Sequence, residues 1–163
     1  SDLESYLAYD GQPDVTRYRS RDPHTEAEAR EFITAQENVE VGLKYKWLHL
    51  AVERRAVPGM IGTVCIKILS QPNGLGEIGW FLNPEHHGQG YAMEASRALI
   101  DFAFDTLGLH RLTAHCDVRN ERSYKLMERL GMRREGTLVE SVFYDGAWQS
   151  QHSYALLEHE RTE

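Results

Sequence analysis

The chain has 163 residues, which suits one domain with a sizeable core. A formal net charge of −7 argues against a nucleic-acid partner and, beyond solubility, weakly favours a cationic acceptor. No apolar run approaches the roughly 20 residues of a membrane span. The N-terminus has no charged-then-apolar signal pattern, and Cys65 and Cys116 both lie in apolar, strand-like stretches, so a soluble cytoplasmic protein with two buried thiols is expected.

Leu3, Tyr6 and Leu7 recur at helical spacing over Asp2 to Tyr9, before Gly11 and Pro13 interrupt. Thr25, three residues before Glu28, is a capping box and predicts a helix over Glu26 to Glu37. Trp47 to Val52 reads as a strand, Pro58-Gly59 as a turn, and Met60 to Leu69 as a β-branched strand. Gln71 to Gly74 is a second turn, and Glu77 to Leu82 a further strand closed by Asn83-Pro84. A long amphipathic helix is predicted from Tyr91 to Leu107, stopped by Gly108. His110 to Cys116 alternates as a strand with Leu112, Ala114 and Cys116 on one face. Asn120 caps a helix that runs to Leu130 and ends at Gly131. Thr137 to Tyr144 pairs with Trp148 to Leu157 across Asp145-Gly146. This order defines one mixed α/β (α+β) domain with a largely antiparallel central sheet flanked by helices and a C-terminal hairpin.

The segment His87-Gly88-Gln89-Gly90-Tyr91-Ala92 joins a strand to a helix. A helix's first turn leaves N–H groups unpaired, and its dipole adds partial positive charge, so the loop can hold a pyrophosphate. It lacks the Lys-Ser/Thr pair of a Walker loop and the third glycine of a dinucleotide fingerprint. Taken alone, the loop is equally a plain strand-to-helix turn punctuated by glycine. His86 and His87 have no third ligand at metal-site spacing, so no metal is expected.

In context the residues resemble the GCN5-related N-acetyltransferase superfamily. Its cofactor motif, Gln/Arg-x-x-Gly-x-Gly/Ala, is matched at Gly90 and Ala92, with His87 in place of Gln or Arg. Asn120-Glu121-Arg122-Ser123 and Glu128-Arg129-Leu130-Gly131-Met132 look like the signature of the RimJ/RimL branch, the protein N-terminal acetyltransferases. Glu77-Ile78-Gly79-Trp80-Phe81-Leu82-Asn83-Pro84 resembles that branch's fourth strand. The likeness runs over about residues 10 to 158, and the family's first strand is expected to be missing or replaced.

The resemblance implies acetyl-CoA as cofactor. Its pantetheine arm would pair with Trp80, Phe81 and Leu82, with Gly79 compatible with a bulge, and its pyrophosphate would meet Gly88, Gln89, Gly90, Tyr91, Ala92 and Met93. Asn120 matches a pantetheine contact and is as readily a helix cap. A backbone N–H near Leu82 would serve the oxyanion. Many relatives protonate the thiol with a Tyr where this chain has Met127, leaving Ser123 as the RimJ/RimL-type substitute, or simply as a cap residue. Three residues compete for the base: Glu77, on the strand that carries one in several branches; Glu140, two residues from the expected hairpin position and so on the same strand face; and His115, suited to proton work near neutrality. Each is equally at home as an ordinary strand residue. The acceptor is expected to be an amine, either a protein N-terminus or a small molecule such as an antibiotic, polyamine or amino acid. Asp22, His24 and the first helices would shape its pocket. A non-catalytic acyl-CoA-binding module is the competing class, and a homodimer is left open.

Overall fold

The computed structural model describes residues 2–19, 21–37, 39, 46–55 and 57–161. Three helices lead: α1 (Asp2–Asp10), the short α2 (Pro13–Thr16) and α3 (Glu26–Glu37). The capping box of α3 forms as read. Thr25 N–H donates to Glu28 Oε2 at 2.8 Å, and Glu28 N–H donates back to Thr25 Oγ1 at 3.3 Å.

The sheet has six strands: β1 (Trp47–Arg54), β2 (Val57–Ser70), β3 (Leu75–Leu82), β4 (Arg111–Asp117), β5 (Arg133–Tyr144) and β6 (Ala147–Leu157). Their order is β1-β2-β3-β4-β6-β5. Every pairing is antiparallel except β3 with β4. Between these last two stands α4 (Tyr91–Asp101), and α5 (Glu121–Arg129) joins β4 to β5.

Four boundaries differ from expectation. Pro58 and Gly59 are not the turn; they lie inside β2, where irregular pairing near Glu53 and a positive φ at Gly59 absorb them. Past Asp101 the α4 helix widens into a π-turn, Phe102–Thr106, which buries Ala103 and Phe104 together. The second hairpin's first strand starts at Arg133, four residues early, because Arg133 and Arg134 pair with Ala155 and Tyr154. Gly79 makes no bulge: it keeps regular register with Cys65, whose Sγ a Cβ there would meet at 3.1 Å.

The two sheet faces are covered differently. Val64, Ile66, Ile78, Leu112 and Ala114 form the main core together with Leu99, Ala103 and Phe104 from α4 and its π-turn and Leu126 and Met127 from α5. On the opposite face a smaller cluster, Tyr6, Tyr9, Val15, Ala29 and Met60, seats α1 to α3. At roughly 25 cal/mol per Å² of apolar area, it is the main core that holds the sheet's geometry.

Candidate active site

The parallel pairing of β3 and β4 covers only three steps, Leu75↔Arg111 to Glu77↔Thr113. Beyond it the strands diverge, β3 running on to Leu82 and β4 to Asp117. Asn83 N–H turns to β2, onto Ile61 O at 2.8 Å. Strand alternation therefore turns the N–H and C=O of Leu82 and Trp80 the other way, into this wedge, while the main chain of Phe81 faces β2. The side chains also alternate: Trp80 packs on the main core, and Phe81 stands on the face of α1 to α3.

At the open end of the wedge, Gly88 (φ +75°) and Gly90 (φ +87°) shape the loop that starts α4. Such angles favour glycine, and no atom lies within 4 Å of where a Cβ would stand at either. A ligand can approach this backbone closely. Helix geometry leaves the N–H groups of Tyr91, Ala92 and Met93 free of intrahelical partners.

His87 is tied at both ring nitrogens. Nε2 lies 3.0 Å from Leu82 O, and Nδ1 lies 3.2 Å from Arg122 Nη1. Since the carbonyl accepts and the guanidinium donates, the ring is the neutral Nε2–H tautomer. It covers the last carbonyl of β3 and holds a largely exposed arginine at the loop. The sequence motif had flagged His87 only as a departure; Arg122 went unmarked because its partner is 35 residues away.

Across the wedge, Asn120 caps α5, its Oδ1 accepting from Ser123 N–H at 3.2 Å. Burial pushes the Cys116 thiol up to about 11, and a hydrogen bond with the Ser123 side chain opposes the rise. Ser123 therefore points its hydroxyl toward the end of β4.

Glu77 and His115, separate candidates in sequence, are partners. His115 Nδ1 lies 3.4 Å from Glu77 Oε1, and Lys67 Nζ lies 2.8 Å from Glu77 Oε2. Ser153, missed by the sequence reading, completes the chain with its Oγ 3.2 Å from His115 Nε2. Register alone explains the meeting: Lys67 pairs with Glu77 across β2 and β3, and His115 with Ser153 across β4 and β6. Burial would raise the Glu77 carboxyl, but hydrogen bonds from His115 and Lys67 hold it below its ordinary value. It is ionised near neutrality, and the His115 ring bridges it to the Ser153 hydroxyl.

Glu140 stands apart from this group. Between Leu138↔Gln151 and Val142↔Gln149 three residues of β5 face the single Ser150, so alternation cannot be carried from Val142 to Glu140. Glu140 has φ +48°, is exposed, and donates its N–H to Ser150 Oγ at 3.0 Å.

The segment after α2 spans the same face. Tyr18 OH donates to Arg119 O at 3.3 Å, and Asp22 accepts from Tyr144 OH at 3.3 Å, tying this segment to the β4–α5 turn and to the hairpin. Its anchor is Asp10, which accepts from Arg19, Arg21 and the His24 N–H.

A split parallel pair with a glycine loop at a helix start is the arrangement expected of an acyl-CoA-dependent acyltransferase. The chain belongs to the acetyltransferase (GNAT) family, whose domain profile matches residues 1–133. The uncharacterised N-acetyltransferase YnaD of Bacillus subtilis is 40% identical over 84 residues, 52% of this chain and 49% of that one. The uncharacterised N-acetyltransferase p20 of Bacillus licheniformis is 31% identical over 160 residues, 98% of this chain and 89% of that protein. The spermidine N(1)-acetyltransferase of Vibrio cholerae is 30% identical over 118 residues, 69% of this chain and 68% of that one. Among solved structures, a GNAT-family acetyltransferase from Bacillus anthracis superposes with a TM-score of 0.84 at 31% identity, covering 97% of this chain and 90% of that one. The mixed, largely antiparallel fold is thus the family's. The chain is an N-acetyltransferase whose acyl donor is acetyl-CoA.

Proposed function

We propose that this enzyme transfers acetyl directly to a primary amine that lies over the Glu77–His115 face, through a tetrahedral intermediate. The observation that carries the reading is the wedge itself, with inward-facing Trp80 and Leu82 main chain at one wall and the Glu77–His115–Ser153 chain at its apex. Acetyl-CoA supplies the activated thioester. The Trp80 main chain would pair with the pantetheine arm, and residues Gly88 to Met93 would hold the pyrophosphate, with Arg122, beside His87, adding a positive charge near the place where the family motif carries Gln or Arg.

The Leu82 N–H stabilises the oxyanion. His115, with Nδ1 against Glu77, takes the amine's proton at Nε2 through the Ser153 hydroxyl, which passes its own proton to the ring as it receives the amine's. Ser123 returns a proton to the departing thiolate. An α-amine of pKa near 8 is partly neutral at pH 7, so a modest base suffices; an alkylamine with a pKa near 10.4 asks more of the site.

Asn120-x-x-Ser123 favours the RimJ/RimL-type acceptor, a peptide α-amine. The likeness to a spermidine acetyltransferase favours a small amine. Thiol release from acetyl-CoA, measured with Ala- and Ser-starting peptides and with a small-amine panel, tests both. Release with one class alone assigns the acceptor; release with neither overturns the proposal.

A further inference from the structure

Along β3, two pleats beyond Glu77 on the same face, the guanidinium carbon of Arg19 lies 4.3 Å from the centre of the Phe81 ring. Arg19 is 8% exposed and Asp10 is 1% exposed. Asp10 is the partner of two cations, with Oδ1 accepting from Arg19 Nη1 and, at 2.8 Å, from Arg21 Nη2. Arg21 also donates to Tyr6 OH at 2.9 Å and to Asp22 O at 2.6 Å, neither of which is a counter-charge. Arg19 Nε, buried, has no hydrogen-bond partner among the described residues. One carboxylate against two guanidiniums leaves a positive charge over.

The excess is felt along the floor. The row His49–Cys65–Gly79 lies between the Glu77 and Phe81 rows. Burial, then Arg19 and Arg21, bring His49 down from 6.5 to about 4, so this histidine is uncharged near neutrality and adds nothing to the excess. The other nearby carboxylates are on the rim. Asp22 and Glu28 are exposed and engaged, with Tyr144 and Thr25 respectively, and water and salt screen them. At the far end, Glu77 is matched by Lys67.

Arg19 is shielded and Arg21, its side chain 36% exposed, shares its carboxylate, so the excess positive charge here favours an anion and repels an ammonium. It also favours the neutral form of a nearby amine, which is the form that attacks. A polyamine would bring two or more ammonium groups to this face.

We propose that the acceptor is a primary amine that also carries a carboxylate, with Arg19 and Arg21 binding the carboxylate beside Phe81 and the amine directed toward Glu77 and His115. This rests on the reading that the acceptor lies over this sheet face. Glu77 and Phe81 are four residues apart, about 13 Å along a strand, so an acceptor with several bonds between amine and carboxylate spans the face better than glycine does.

The test measures binding and turnover side by side. CoA-loaded protein is titrated by calorimetry with glycine, 6-aminohexanoate, the amide of each, and spermidine; thiol release from acetyl-CoA is followed with the same compounds. The expectation is that 6-aminohexanoate binds about tenfold tighter than its amide, the equivalent of 1.4 kcal/mol. Arg21→Gln, which leaves the Arg19–Asp10 pair in place, should remove most of that preference. Arg19→Met should do the same if it folds, but the conclusion does not depend on it. Equal or better binding of the amide or of spermidine, no binding by any acid, or an unchanged preference in Arg21→Gln overturns the inference. Acid binding without thiol release from any amine would leave the recognition standing and sink the acyl-transfer reading. Thiol release with spermidine or amides alone would do the reverse.

Discussion

His115 and Glu77 meet at 3.4 Å across two parallel strands whose pairing ends at Glu77 and Thr113. On the proposed mechanism the base is a pair rather than a choice between two residues. Glu77→Gln and His115→Ala should each lower kcat by about a hundredfold. The double variant should be no slower than the worse single one, because groups acting as a unit are not additive. Steady-state rates of the three variants check this; additive losses would separate the residues' roles.

Gly90→Glu should abolish CoA binding, since the new carboxylate would take the place of the pyrophosphate. The chain also adopts φ +87° there, so even Gly90→Ala is expected to cost about 1 kcal/mol of stability. Calorimetric titration with CoA reads the first effect and thermal unfolding the second.

Arg122→Gln should raise the Kd for CoA about tenfold without altering kcat at saturation, because in the proposed complex the guanidinium would neutralise phosphate and would touch nothing that reacts. Titration with CoA, 3′-dephospho-CoA and free pantetheine locates the charge it serves. A loss that persists with pantetheine would mean that Arg122 acts only by positioning His87.

Ser123→Ala should slow turnover about tenfold and change CoA affinity little, since the cap of α5 uses the Ser123 N–H, which alanine retains. Unchanged turnover would leave Ser123 as a cap residue alone.

His49 gives a pH signature in stability. Its pKa falls from 6.5 to about 4 on folding. Between those values the unfolded chain binds the proton and the folded chain does not, so stability is full above pH 6.5 and declines as pH drops toward 4. The loss from this group is on the order of 3 kcal/mol. Denaturant unfolding at a series of pH values should show that slope, and His49→Phe should flatten it.

The elements were readable where one local signal settled them. The Thr25–Glu28 box, the Asn120 cap and the Asp145-Gly146 turn each lie within four residues of what they organise. Readings failed where the determinant was distant. Pro58-Gly59 is a turn by composition, but β1 still has pairing partners there and draws both residues into β2. The loop at Gly88 and Gly90 was legible because glycine spacing is itself the signal. Ser153, Lys67 and Arg19 were not, because each gains meaning only from strand register or from a partner across the fold. The placing of Glu140 relied on a period of two, which the three-residue irregularity in β5 interrupts.

That irregularity also acts on a larger scale. β5 is an outer strand of the sheet and carries exposed Leu138, Val139 and Phe143. An apolar outer strand with an unbroken row of free main-chain groups is a template for chain-upon-chain addition. Here the row is broken at Val139–Ser141, with Glu140 in a left-handed conformation in the middle of it. A second copy can pair with a short stretch on either side but cannot zip along the whole strand. The break thus guards the outer strand against open-ended polymerisation.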